Sequence, residues 1–182
     1  MRRIYDSEAL RRDDDAFTPN ERDDDDRPQS LRSINGGAWS RRLLPQRLCF
    51  RAIGVEISTP RTEFPEGEPI PFAVTMKNAL PVPVSIRTNS PLLWTWNVDG
   101  DEEAARVPLR DPPDESGTFA FDRGERKQFR KRWRQLFRVT ESEWEPAAPG
   151  EYTIGAGINV DDPAEKGLYD ETTIRIVPDS SR

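Results

Sequence analysis

The run Pro149-Gly150-Glu151-Tyr152-Thr153-Ile154-Gly155-Ala156-Gly157-Ile158-Asn159-Val160 reads as a turn followed by a strand. Tyr152, Ile154, Ala156, Ile158 and Val160 fall on one face at a period of two, and Glu151, Thr153, Gly155, Gly157 and Asn159 fall on the other. A wholly apolar face has to be covered, so the rest of the chain must supply a second layer.

That remainder carries more segments of the same kind. Leu48, Phe50 and Ala52 alternate, and Val55 and Ile57 alternate in the opposite phase, so Gly54 at the slip predicts a bulge in the first strand. Thr59-Pro60 ends that strand, and Phe64 to Pro69 forms a turn. Ile70, Phe72, Val74 and Met76 follow on one face; Pro71 lacks an amide hydrogen, which sets this strand at an edge or its start before pairing begins. After Asn78-Ala79-Leu80-Pro81 come Val82, Val84 and Ile86, then Leu92, Trp94, Trp96 and Val98. Asp99-Gly100 is the strongest hairpin signal, with Ala105, Val107 and Leu109 able to return as the partner. Asp111 to Gly117 reads as an exposed loop, Phe119 and Phe121 as core anchors, and Thr172, Ile174 and Ile176 as the last strand. A helix competes only over Leu136 to Trp144, where Thr140-Glu141-Ser142-Glu143 could cap one turn. Seven or eight short strands, with turn signals about every ten residues, predict an all-β, antiparallel immunoglobulin-like β-sandwich over residues 46–178. Tyr152, just after a Pro-Gly turn, stands where such sandwiches place a tyrosine corner.

Residues 1–45 are of another character. Asp13-Asp14-Asp15 and Asp23-Asp24-Asp25-Asp26 are interspersed with arginines, and residues 1–46 hold 10 acids against 9 Arg. So few apolar groups cannot offset the entropy of ordering, which predicts a disordered charged tail; residues 179–182 form a short C-terminal tail. Trp39 and the Arg41-Arg42-Leu43-Leu44 cluster offer this tail a way to dock. With 23 Arg to 4 Lys, 33 acids and a net charge of −6, the composition suits a high-salt cytoplasm, and equally a GC-rich genome. No apolar run follows Met1-Arg2-Arg3 and none reaches the length of a membrane span, so a cytoplasmic protein with no membrane association is expected. Cys49 cannot form an internal disulfide and reads as a buried, inert thiol in a strand.

The absence of histidine removes the usual triads, zinc sites and general bases near neutral pH. Asp99, Asp101, Glu102 and Glu103 are dense in carboxylate but lack calcium-loop spacing. No catalytic residue, cofactor or metal site is assigned, and a non-enzymatic protein is expected.

One constellation does invite a function. Residues 123–138 carry Arg123, Arg126, Lys127, Arg130, Lys131, Arg132, Arg134 and Arg138 against Glu125 alone, interleaved with Phe129, Trp133 and Phe137. Lys131 shares a face with Phe129 and Trp133, which predicts a bulge or a snorkelling lysine. The arginines could pair with carboxylates on neighbouring strands, face an acidic protein, or hold single-stranded nucleic acid. Net negative charge disfavours nucleic acid, so Arg130, Arg132, Arg134, Trp94 and Trp96 are the candidate residues for a protein partner. Gly155 and Gly157 leave a groove on their face of the strand, with Trp94, Trp96 or Trp133 as candidates to fill it.

Phe64 to Pro69, Asn78, Pro83-Val84, Trp94-x-Trp96, Asp99-Gly100, Trp133 and Pro149-Gly150-Glu151-Tyr152 occur in the order of the intracellular proteinase inhibitor domain, an immunoglobulin-like sandwich that residues 47–178 resemble. The chain also looks like uncharacterised single-domain proteins of halophilic archaea. These shared residues belong to turns and core, so the resemblance implies a fold first and protease inhibition second. A cytoplasmic protein-interaction module is the leading expectation. An intracellular protease inhibitor and a binder of single-stranded nucleic acid through residues 126–138 are the alternatives.

Overall fold

The computed structural model describes residues 45–108 and 112–178. The expected tails, Leu109, Asp111 and the cluster from Trp39 to Leu44 lie outside the described residues. A short helix α1 (Gln46–Ala52) leads into β1 (Ile53–Ser58), β2 (Glu63–Pro65), β3 (Ile70–Asn78), β4 (Val84–Thr88), β5 (Trp94–Val98) and β6 (Asp101–Glu102). Then come β7 (Gly117–Phe121), β8 (Arg126–Trp133), β9 (Leu136–Arg138), β10 (Trp144–Pro146), β11 (Gly150–Ile158) and β12 (Tyr169–Val177). Eight of these described strands have five residues or more.

The fold is the expected antiparallel immunoglobulin-like β-sandwich. One sheet has the order β1-β3-β8 and the other β2-β12-β11-β5-β6. The organising strand, β11, lies between β12 and β5, and its Ile154, Ala156 and Ile158 are buried. Aromatic contacts join the two sheets: Phe72 to Trp96 at 5.2 Å, Trp94 to Phe129 at 4.9 Å and Trp133 to Tyr152 at 5.2 Å. Each such side chain contributes roughly 1.5–3 kcal/mol on burial, before the entropy of ordering it is set against that gain. The Tyr152 hydroxyl donates to the Ala148 carbonyl four residues upstream at 2.8 Å, which is the tyrosine corner.

A second ladder, β4 with β7, continues the pairing of β3 with β8 beyond a corner. Asn78, fully buried, holds that corner. Its Nδ2 donates to the carbonyls of Val82 (2.8 Å) and Asp122 (2.9 Å), and its Oδ1 accepts from the Leu80 amide (3.0 Å). Gln135 does similar work just past β8. Its Nε2 donates to the carbonyls of Pro65 and Glu68, and its Oε1 accepts from the Gly67 amide, so one buried side chain clasps the turn between β2 and β3.

Several local expectations are corrected. Residues 46–52 are helical, with Cys49 and Ala52 buried three apart and Leu48 exposed, so the burial runs at helical spacing where alternation was expected. Gly54 makes no bulge, because Ile53–Ser58 pairs residue for residue with Asn78–Ala73. The segment considered for a helix, Leu136 to Trp144, forms the β9–β10 hairpin, whose turn is held by the Thr140 hydroxyl accepting from the amides of Ser142 and Glu143. Asp99-Gly100 makes the hairpin turn with φ of 50° and 89°, yet the returning strand is Asp101–Glu102, not Ala105 and Val107. Pro71 lies in the central strand and is already paired with Arg132 of β8, though it lies beyond the end of β1. The groove over Gly155 and Gly157 is filled by Tyr169 of β12 and not by a tryptophan; a Cβ at Gly155 would lie 1.8 Å from the Tyr169 hydroxyl.

Candidate functional site

The two long edges of the sandwich differ. At one, Asp170 of β12 accepts a hydrogen bond from the Ile57 amide of β1 at 2.9 Å and stitches the sheets together. At the other, among the described residues, β8 pairs only with β3, and β5 is followed only by the two-residue β6. The outward edge of β8 therefore presents backbone donors and acceptors that no described strand uses.

Period-two alternation divides the side chains of β8. Phe129 and Trp133 point inward, against Trp94 and against Phe137 and Tyr152. Arg130 and Arg132 point outward, level with Ala73 and Pro71 of β3. Lys131 is on the inward phase, but the register with β3 is unbroken, so there is no bulge. It snorkels instead, with Nζ 5.7 Å from the Trp94 ring centre.

Two recesses of about 400 and 410 Å³ open along this edge and share Trp96 and Glu103. One reaches to Leu136 and Trp144, under Arg132 and Arg134; the other reaches to Trp94, Phe129 and Lys131. On the outer face a shallow groove of about 780 Å³ has a floor of Pro60, Pro71 and Ala73 and a wall of Arg130, Arg132 and Arg134. Arg132 and Arg134 thus line both sides of the edge.

Residues 126–134 hold six cations and no acid. Lys127 is neutralised by Glu125 at 2.7 Å, and that hydrogen bond, more than the one from the Asp122 amide, lowers the Glu125 pKa. Arg130, Arg132 and Arg134 are exposed, and none has a carboxylate within ion-pair distance among the described residues. The expectation that they pair with acids on neighbouring strands is therefore corrected: the facing positions are Ala73 and Pro71, which carry no charge.

All five residues singled out from sequence lie at this edge. Trp96 meets Arg132 and Arg134 in one recess, and Trp94 meets Lys131 in the other, whereas Arg130 belongs to the outer groove alone. Sequence reasoning missed Glu103 and Trp144 as part of it. Trp144 is 54% exposed, and its setting in Glu141-Ser142-Glu143-Trp144-Glu145, with no alternating apolar neighbours, was the available signal. Asp99, Asp101, Glu102 and Glu103 do not converge: Asp99 accepts from the Thr153 amide and Asp101 lies 3.7 Å from Arg106. Among the described residues no group of three or more acids or cysteine is arranged to hold a metal. Cys49 is buried, which pushes its thiol pKa up.

No curated protein matches the chain in sequence. Among solved structures it is similar to the CARDB domain of the PF1109 protein from Pyrococcus furiosus, with TM-score 0.43 and 15% identity over 70% of this chain and 94% of that one. It is also similar to a β-glucosidase from Listeria innocua, with TM-score 0.42 and 14% identity over 70% of this chain and 16% of that one. A third neighbour is the alkylpurine DNA glycosylase AlkC of Pseudomonas fluorescens, with TM-score 0.41 and 10% identity over 69% of this chain and 30% of that one. At these levels the fold class rests on the strand pairing itself. A family model does match, over residues 41–177, and the chain belongs to that family, DUF7974, a family of unknown function.

Proposed function

We propose that this domain is a non-enzymatic, cytoplasmic protein-interaction module that docks its partner along the open edge of β8. The observation that carries the reading is the conjunction of an eight-residue strand edge, unpaired by any described strand, with arginines that no described acid neutralises. Long exposed edges invite pairing with another chain, and arginine flanking aromatic surface is enriched where proteins meet. Nucleic acid is the weaker reading on geometric grounds. Trp94 and Trp96 pack inward on Phe129 and Phe72, which among the described residues leaves Trp144 as the one strongly exposed tryptophan at this edge on which a base could lie. The resemblance to the proteinase inhibitor domain makes a protease one class of partner.

The test is selection of phage-displayed unstructured peptides against the domain, followed by hydrogen-exchange mapping of the binders. Peptides that protect β8 amides and fail to bind the Arg132→Glu variant are expected. That variant should keep its stability to within about 0.5 kcal/mol, because no described acid forms an ion pair with Arg132. Binders that map elsewhere, or retention of single-stranded DNA at about 0.15 M salt in place of peptide, would overturn the reading.

A further inference from the structure

Resting on that docking edge, we infer the chemistry of its occupant: an extended acidic segment of a partner protein, with acidic and apolar residues in alternation, added as a strand beside β8. Its backbone pairs with the free amides and carbonyls of β8, and its two side-chain phases meet two different surfaces. Alternate residues of a strand recur every ~6.8 Å on one face, and an added strand has the same pitch. Carboxylates at every second position therefore fall in step with Arg130 and Arg132, with Arg134 continuing the wall of the outer groove. Guanidinium groups suit such partners because they hold a carboxylate with two parallel hydrogen bonds. The intervening side chains turn toward the recess lined by Trp96, Trp133, Leu136 and Trp144, whose side chains offer apolar surface beside Glu103. Charge decides the sign, since residues 126–134 carry six cations and no acid, and among the described residues only Lys127 is neutralised nearby. A second copy of β8 is a poor occupant for the same reason, because like charges would face each other across the new ladder.

The experiment titrates the full chain with four short peptides built from the same residues. One alternates Glu with Val, one has the same residues in two blocks, and two are the alternating peptide N-methylated at every second amide, one in each phase. The alternating peptide is expected to bind at least about tenfold more tightly than the blocked one. Arg130→Glu and Arg132→Glu should each weaken it by about tenfold or more, the scale of a charged hydrogen bond. One phase of N-methylation should abolish binding and the other should be tolerated, because only one set of amides faces β8. Equal affinity for the blocked peptide, or tolerance of both methylated phases, overturns the added strand. If acidic peptides are inert while selected neutral peptides still protect β8 amides, this inference falls and the docking edge stands. If nothing protects β8, both fall.

Discussion

Replacing Asn78 by alanine should cost the domain a large part of its stability. The side chain is fully buried at the corner between the two ladders and makes three hydrogen bonds of 2.8–3.0 Å. Alanine supplies none of them, and it leaves the part-buried carbonyls of Val82 and Asp122 and the amide of Leu80 without that partner. Each bond is worth about 1 kcal/mol net, and the groups left behind are part-buried, so the low end applies. The total over the three bonds is about 3 kcal/mol against the ~5–15 kcal/mol that holds a domain of this size folded. The Asn78 backbone amide keeps its bond to the Glu125 carbonyl at 2.9 Å, so the turn is weakened and not erased. Urea unfolding followed by tryptophan fluorescence reads the effect as a lowered midpoint at constant slope. A loss below about 1 kcal/mol would refute the claim that this one amide group organises the corner.

Two further substitutions probe the organising strand. Gly155→Ala should drive Tyr169 from its seat, because the new Cβ would lie 1.8 Å from the hydroxyl and 2.5 Å from Cζ. In a Tyr169→Ala background the same change should be nearly silent, giving a coupling of about 1 kcal/mol or more in a double-mutant cycle; strictly additive costs would sink the account. Tyr152→Phe should cost about 0.5–1.5 kcal/mol by removing the bond to the Ala148 carbonyl. Burial foremost, and then the charge of Asp99, raises the Tyr152 pKa above its ordinary value. The wild type therefore keeps this contribution below the unfolded value of about 10 and loses it as pH rises through the folded one. The gap between the two proteins should narrow above about pH 10, and thermal melts across that range would expose a gap that stays constant.

What was legible in the sequence was whatever a few neighbouring residues decide. The two faces of β11, the Asp99-Gly100 turn, the Tyr152 corner and the core positions of Phe119 and Phe121 follow from alternation and turn chemistry alone. What stayed hidden depends on strand order. Tyr169 covers Gly155 because β12 lies next to β11, and β2 pairs in parallel with β12 across more than a hundred residues. Helix α1 was misread because Leu48, Phe50 and Ala52 fit a period of two over a run too short to exclude a period of 3.6. At the candidate edge, alternation against Phe129 and Trp133 sufficed to turn Arg130 and Arg132 outward. Whether those arginines met acids or solvent required knowing that Ala73 and Pro71 stand opposite. Gln135 carried no local signal at all, since its left-handed backbone and buried amide serve a turn nearly seventy residues earlier in the chain.

That distant clasp has a mechanical consequence. The two donated bonds and one accepted bond of Gln135 issue from a single amide group. Tension applied to the end of β8 must rupture all three together, as rivets under shear fail together, whereas a zipper surrenders its teeth in turn. A load arriving along this strand would thus be handed to the turn between β2 and β3 and on to the opposite sheet before the strand itself could peel.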